Sequence, residues 1–272
     1  MSDFQKAVEI VHEALHQLRE HGIELRASSA AIERLAEAAA TAPTVPEPPA
    51  RPEPVALAPP LTDSPSKAER LAEIRPGILA CTKCSHLVRS RKQVVFGVGN
   101  PEAELMFVGE APGEDEDRQG EPFVGRAGEL LTKIITAMGF ARGEVYIANV
   151  LKCRPDMPPG EPGNRKPRPD EMQTCLPYLR QQIEIIQPHV LVALGSTAMQ
   201  GLIGDTSAMA RLRGRWHEFA DIPLMATYHP AYLLRNQSMS EKRKVWEDML
   251  LVLEKLGKPI SQKQRNYFLQ GS

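Results

Sequence analysis

The sequence predicts an α/β protein built on a mainly parallel, four-stranded sheet with helices on both faces. Three observations carry that expectation. From residue 76 onward, short apolar runs alternate with segments of helical periodicity, the pattern of strands joined by helical crossovers. Each apolar run is followed at once by a turn or polar element: Gly109-Glu110-Ala111-Pro112-Gly113, Asn149, Gly195-Ser196 and His229-Pro230. A proline-rich stretch separates this region from an unlike N-terminal part.

Residues 1–40 are rich in Ala, Glu, Leu and Arg, and Val8, Val11, Leu15 and Leu18 recur on one helical face, which predicts an amphipathic helical extension. Such a face docks on its own protein or holds a protein partner. Residues 41–66 form the expected linker: positions 41–65 contain nine prolines in 25 residues, too many for a helix interior or a central strand. Residues 67–260 are the expected folded domain and 261–272 a C-terminal tail. Within the domain, strands are expected at Leu105–Val108, Val145–Ala148, Val190–Leu194 and Leu224–Thr227, each dense in the apolar residues of a strand buried on both faces. Helices are expected near Ala127–Met138, Asp170–Gln187, Ser196–Leu202 and Lys242–Leu256, with Asp170 and Ser196 as N-caps.

Charge divides along the same boundary. Residues 1–75 carry 12 acidic and 8 basic side chains, so the overall net charge of −1 hides a mildly basic body. Its Arg and Lys cluster at Arg89–Lys92, Arg165–Arg168, Arg211–Arg215 and Lys242–Lys244. Several basic loops on one domain fit a phosphate backbone. The chain opens Met-Ser-Asp-Phe-Gln, without an apolar signal segment, and contains no run of transmembrane length. A reducing, cytoplasmic setting without membrane contact is therefore expected, and disulfides are not.

The four cysteines, Cys81, Cys84, Cys153 and Cys175, all lie in the basic body. A Cys-x2-Cys pair grips one corner of a metal centre while two distant thiolates close it. Four thiolates suit zinc or an iron-sulfur cluster alike.

Ligands of open α/β sheets bind outside the carboxyl ends of the strands, and four turn or polar elements are expected to meet there. At this point the residues resemble a known family. The stretches Gly109-Glu110-Ala111-Pro112-Gly113-Glu114-Asp115-Glu116-Asp117, Gly120-Glu121-Pro122-Phe123-Val124-Gly125-Arg126-Ala127-Gly128, Asn149-Val150-Leu151-Lys152-Cys153-Arg154-Pro155 and His229-Pro230-Ala231-Tyr232-Leu233-Leu234-Arg235, with the cysteine layout, look like family 4 uracil-DNA glycosylases over residues 76–256.

The resemblance implies a three-layer α/β/α sandwich with a [4Fe-4S] cluster on the four cysteines. It also implies removal of uracil from DNA, leaving an abasic site; a monomer associated with the nucleoid is the further expectation. Read beside it, Asn149 carries both the donor and the acceptor needed for uracil O4 and N3–H. Phe123 offers a face for base stacking, worth about 1–3 kcal/mol. His229 is the expected donor to the charge that grows on departing uracil. Ala111, Pro112 and Gly113 shape a turn whose main chain lies against the substrate. Arg154, Arg165, Lys166 and Arg235 are expected on phosphates, with Leu233 or Leu234 as a wedge in the gap left by the extruded base or as the start of a helix with Pro230 in its first turn. Related families place an Asp or Asn at the position of Ala111 to orient water; an alanine methyl cannot, so Glu110 and Glu116 are the candidates here. Two other classes compete: a Mg2+-dependent hydrolase on Glu110, Glu114, Asp115 and Asp117, and a DNA-binding module without turnover.

Overall fold

The structure is a computed structural model and describes residues 64–158, 161 and 163–269. The expected helical extension and most of the linker lie outside the described residues. The described residues belong to one compact unit, Thr62–Ser272.

A six-stranded sheet in the order β1-β3-β2-β4-β6-β5 forms its middle layer. The strands are β1 (Val98–Gly99), β2 (Leu105–Gly109), β3 (Tyr146–Asn149), β4 (Val190–Leu194), β5 (Trp216–Phe219) and β6 (Ile222–Thr227). The four inner strands are the four read from sequence, and they run parallel. The two edge strands are additions to that expectation and pair antiparallel.

Both were hidden for local reasons. β1 is two residues long. β5 reads Trp-His-Glu-Phe, with only Phe219 buried, so it has no apolar run to announce it. It turns into β6 through Ala220 and Asp221, both at positive φ (52° and 61°). This two-residue hairpin geometry ordinarily shows itself as Asn-Gly or Asp-Gly, and Ala-Asp gives no such signal.

Alternation along the inner strands builds two cores. Met106, Val108, Ala148, Leu191, Ala193, Leu224 and Ala226 face one side. They pack against α1 (Lys67–Leu79), α5 (Pro169–Ile186) and α6 (Ser196–Ile203). Leu105, Phe107, Ile147, Val190, Val192 and Met225 face the other side, against α4 (Arg126–Met138) and α9 (Met239–Lys255). The result is an α/β/α sandwich in which each fully buried Leu or Ile contributes about 1.5–3 kcal/mol. Short helices α2 (Ser85–Ser90), α3 (Glu114–Gln119), α7 (Met209–Leu212), α8 (Pro230–Arg235) and α10 (Gln262–Asn266) fill the connections. Residues 262–269 pack back on the domain: Trp246 donates to the Gln264 carbonyl at 2.6 Å and Arg243 to that of Tyr267 at 2.9 Å.

The two expected N-caps shift. α5 is capped by Arg168, because Pro169 takes the first helical position, where its fixed φ fits and its missing N–H costs nothing. α6 is capped by Gly195 at φ 98°. That left-handed turn favours glycine and leaves Ser196 as the first helical residue.

Candidate active site

Because β2, β3, β4 and β6 are parallel, the segments that follow them meet at one edge of the sheet. A cavity of about 360 Å³ opens there. Glu110, Ala111, Pro112 and Gly113 line it from the turn after β2, Asn149 from the end of β3, and His229 and Arg235 from the segment after β6. Glu116 and Phe123 enter from α3 and the loop beyond it, and Arg165 and Lys166 from the loop before α5. The structure adds three lining residues that the sequence did not single out: Ala127, Asn164 and Ala231. Arg154, Leu233 and Leu234 do not line it.

Asn149 is paired in register with Gly109, and the ladder continues beyond the strands. Val150 and Leu151 donate to the carbonyls of Gly109 and Glu110 at 3.0 and 3.1 Å. The Glu110–Gly113 turn is thereby stitched to the backbone that carries Asn149. The Asn149 side chain is 2% exposed, and its Oδ1 is a buried acceptor without a partner. Such an atom forfeits about 1–3 kcal/mol, a cost that a ligand donor would remove.

Phe123 covers the same spot. A methyl on Gly109 would meet Asn149 Oδ1 at 2.4 Å and the Phe123 ring at 2.6 Å, so the bare Cα lets amide and ring approach each other. Phe123 is itself held at φ 55°, a left-handed conformation that strains a bulky residue and persists where the surroundings enforce it. The enforcement is visible. Arg142 donates to the carbonyls of Pro122 and Phe123 at 2.8 and 3.0 Å. Glu116 accepts from Val124 and Gly125 at 3.0 and 3.1 Å with one carboxylate oxygen, and from Gly113 at 3.0 Å with the other. Glu116 thus clamps the phenylalanine loop to the turn after β2.

His229 caps α8, and its Nδ1 accepts from the Ala231 N–H at 3.1 Å. Its ring lies 5.6 Å from that of Phe123, with the planes 29° apart. Burial, helped by the nearby Arg235 charge, pushes its pKa down to about 4. At neutral pH the imidazole is therefore uncharged. With Nδ1 occupied as an acceptor, its single hydrogen sits on Nε2. Glu110 moves the other way: burial raises its carboxyl, opposed by a Thr197 hydrogen bond and the Lys166 charge.

The four cysteines collect beside this loop system. Cys81 follows α1, Cys84 caps α2, Cys153 follows β3 and Cys175 lies on α5. Burial pushes the Cys175 thiol up to about 12, and burial together with the neighbouring cysteines raises Cys84. Arg91 donates to Cys153 Sγ at 3.0 Å and to the Cys81 carbonyl at 2.6 Å. The Lys152 N–H donates to Cys175 Sγ at 3.2 Å. Buried thiols that repel one another as thiolates, yet are met by N–H donors and cationic side chains, fit a metal centre. No three of their sulfurs lie within 4.8 Å of one another. The one group of three ligand-type atoms within 4.8 Å of one another among the described residues is His86, Asp156 and Glu171, with no cysteine in it. Tetrahedral zinc with bonds of about 2.3 Å would draw the sulfurs to about 3.8 Å apart. The acidic quartet considered for Mg2+ does not form such a group either. Asp117 accepts the Lys92 N–H at 3.0 Å, and Asp115 pairs with Arg118 at 2.6 Å. No helix among the described residues is long and apolar enough to cross a membrane.

Comparison with known proteins agrees with this architecture. Residues 96–250 match the family model described as the Uracil DNA glycosylase superfamily. A Type-4 uracil-DNA glycosylase of Thermotoga maritima is 43% identical over 187 residues, 68% of this chain and 93% of that protein. One of Archaeoglobus fulgidus is 42% identical over 182 residues, covering 64% of this chain and 88% of its own. A third, of Sulfurisphaera tokodaii, is 39% identical over 75% of this chain and 92% of its own. With a matching family model over more than half of its length and relatives covered almost end to end, this chain belongs to the uracil-DNA glycosylase superfamily, in its type-4 group.

Proposed function

We propose that the protein hydrolyses the N-glycosidic bond of uracil in DNA, releasing free uracil and leaving an abasic site, as the first step in repair of deaminated cytosine. The observation that carries this reading is the unpartnered Oδ1 of Asn149 at the floor of a cavity bounded by the Phe123 ring and the His229 imidazole.

The nucleotide must leave the duplex to reach this depth. Once inside, the base stacks on Phe123, Asn149 Oδ1 accepts its N3–H and Nδ2 donates to O4. Cytosine offers a bare N3 and an amino group at those positions and leaves both amide atoms mismatched. As the C1′–N1 bond lengthens, the electron pair moves into the base, and His229 Nε2–H donates to O2 where the charge gathers. Water completes the bond to C1′ and passes its proton to Glu110, and the uracil anion takes up a proton as it leaves. Glu110 is the carboxylate available to place that water, because both oxygens of Glu116 are occupied by backbone N–H groups. In the turn, Pro112 has no N–H and that of Gly113 is given to Glu116, so main-chain help comes from Ala111. Lys166 and Arg235, exposed at the rim, take phosphates. Leu234, half-buried on α8, is the wedge, whereas Leu233 is a core residue of that helix. Arg154 acts within the loop, donating to the Gly163 carbonyl at 2.9 Å.

Cys81, Cys84, Cys153 and Cys175 hold a [4Fe-4S] cluster in this reading, which rests on four thiolates and on the similarity to type-4 uracil-DNA glycosylases. The cluster supplies a structural tie between α2, α5 and the segment after β3. The enzyme works as a monomer on chromosomal DNA in the cytoplasm, with residues 1–40 available to a protein partner through the 41–66 linker.

The test is incubation with a single-uracil oligonucleotide, read as free uracil and as alkali-labile strand breakage. Tight binding without free base would reduce the protein to a non-catalytic DNA binder. Activity that disappears with EDTA and returns with Mg2+ would favour the hydrolase class instead. Two variants extend the test. Gly109→Ala drives a methyl into Asn149 and Phe123, and is expected to lower kcat/KM by about tenfold to a hundredfold, since misplacement of a reacting group by about 1 Å costs that much. Wild-type rates would mean that the close approach of amide and ring is dispensable. Cys175→Ala is expected to lose visible absorbance and to weaken binding of uracil-DNA before kcat changes; a colourless variant with unchanged Kd would remove the cluster from the account.

A further inference from the structure

The densest knot of charge outside the cavity centres on Glu171, in the first turn of α5. Its carboxylate is fully buried. Arg165 grips it with both terminal nitrogens, at 2.7 Å to Oε1 and 3.0 Å to Oε2. The Arg168 N–H donates to Oε2 at 2.7 Å, and His86 Nε2 lies 2.7 Å from Oε1. Arg165 also donates to the Asp156 carbonyl at 2.7 Å and pairs with its carboxylate. His86, Asp156 and Glu171 look like a cation site by proximity alone. The Arg165 guanidinium already fills that role, so the group is a buried ion-pair knot. Its bidentate geometry is the arrangement that fixes orientation most strictly.

Its placement gives it a further meaning. Of the segment before α5, the residues that line one side of the cavity are Asn164, Arg165 and Lys166. On either side of Arg165 stand Asn164 and Lys166, both exposed and both lining the cavity. Arg165 lines the cavity with them, and a guanidinium fixed by Asp156 and Glu171 fixes the backbone that carries Asn164 and Lys166 on either side of it. The Lys166 charge reaches Glu110 across the cavity. None of these bonds involves a cysteine, although Glu171 lies one helical turn before Cys175 and His86 two residues after Cys84.

We infer that Glu171 is a positioning residue for uracil-DNA binding: through Arg165 it holds residues 163–168 so that Asn164 and Lys166 face the cavity, by hydrogen bonds that no cysteine shares. The inference rests on the uracil-excision reading. Arg165, expected from sequence to touch DNA, becomes the anchor of the residues that do.

The experiment uses the full chain with its metal centre and a single-uracil oligonucleotide, comparing Glu171→Gln, Lys166→Met and the double variant. Glu171→Gln is expected to raise KM about tenfold with kcat within about threefold of wild type, while iron per chain and visible absorbance stay unchanged; the double variant is expected to be no worse than the weaker-binding single one, because residues that act through one another are not additive. A wild-type KM in Glu171→Gln, additive losses in the double variant, or loss of iron in step with loss of affinity would each overturn the inference. If wild type itself released no uracil, the functional reading would fall instead. Should Glu171→Gln not accumulate as soluble protein, Arg165→Gln approaches the knot from the loop side and must show the same rise in KM and the same non-additivity with Lys166→Met.

Discussion

Asn149→Ala is expected to reduce kcat/KM for uracil excision by about a thousandfold while leaving the fold as stable as wild type or more so. The two halves of this expectation come from the same atom. In the unliganded protein, Asn149 Oδ1 is a buried acceptor without a partner, and removing it relieves a cost of about 1–3 kcal/mol. In the proposed complex, the same oxygen meets uracil N3–H, and the amide nitrogen beside it meets O4. A site built to hydrogen-bond its substrate discriminates by about 10⁴–10⁵ when the pattern is wrong, and removing the whole amide forfeits most of that selectivity. Activity and stability therefore move in opposite directions, the usual trade at a preorganised site. Single-turnover excision and thermal unfolding on the same preparations check both. A variant that unfolds earlier and loses activity in proportion would make Asn149 a structural residue, and undiminished excision would end its role as the reader of the base.

How far this site was legible in sequence depends on where each residue sits. Asn149 closes β3 and His229 lies two residues beyond β6, so the apolar runs Val145–Ala148 and Leu224–Thr227 located them once the sheet was known to be parallel. Phe123 was visible as an aromatic in a glycine-rich loop, but its left-handed backbone was not, because that conformation is imposed by Arg142 and Glu116 from other elements. Glu116 was read as a candidate for placing water. Nothing in an acidic run of four, Glu114–Asp117, tells which member turns inward to clamp a backbone and which stays in solvent. Asn164 was missed altogether. Its place follows from Arg154, which donates to its Oδ1 at 3.3 Å, and from the pinning of the neighbouring Arg165 to Asp156 and Glu171, side-chain bonds within a proline-rich loop that carries no periodicity. The edge strands were lost in the same way, since a strand wet on one side needs little apolar sequence. Short-range pattern revealed the inner sheet and the strand-end residues, whereas everything held by side-chain-to-backbone bonds across the fold stayed hidden.

The second large effect concerns His229. Replacement by alanine is expected to lower kcat by about 10²–10³-fold, the loss typical of removing one donor from a developing anion, with little change in KM because the contact to O2 strengthens only as charge develops. The protonation state sharpens the prediction. An ordinary histidine would be half-charged near pH 6.5, but burial and Arg235 hold this one down to about 4, and Ala231 N–H occupies Nδ1. In the proposed mechanism the donor is thus the neutral Nε2–H at neutral pH. NMR of the labelled imidazole is expected to show no titration between about pH 7.5 and 5.5. An acid limb of the rate profile belongs to Glu110, whose carboxyl is raised by burial; it is expected to vanish in Glu110→Gln and to persist in His229→Ala. The sign for stability follows from linkage. As pH falls below about 6.5, the unfolded chain takes a proton that folded His229 refuses, so this group's contribution is whole above that pH and is lost on the way down to about 4. His229→Ala should therefore lose less stability between pH 7.5 and 5 than wild type does. An imidazole that titrates near 6.5, with a rate that follows it, would mean that the cation is the donor and that the Ala231 bond does not survive substrate binding.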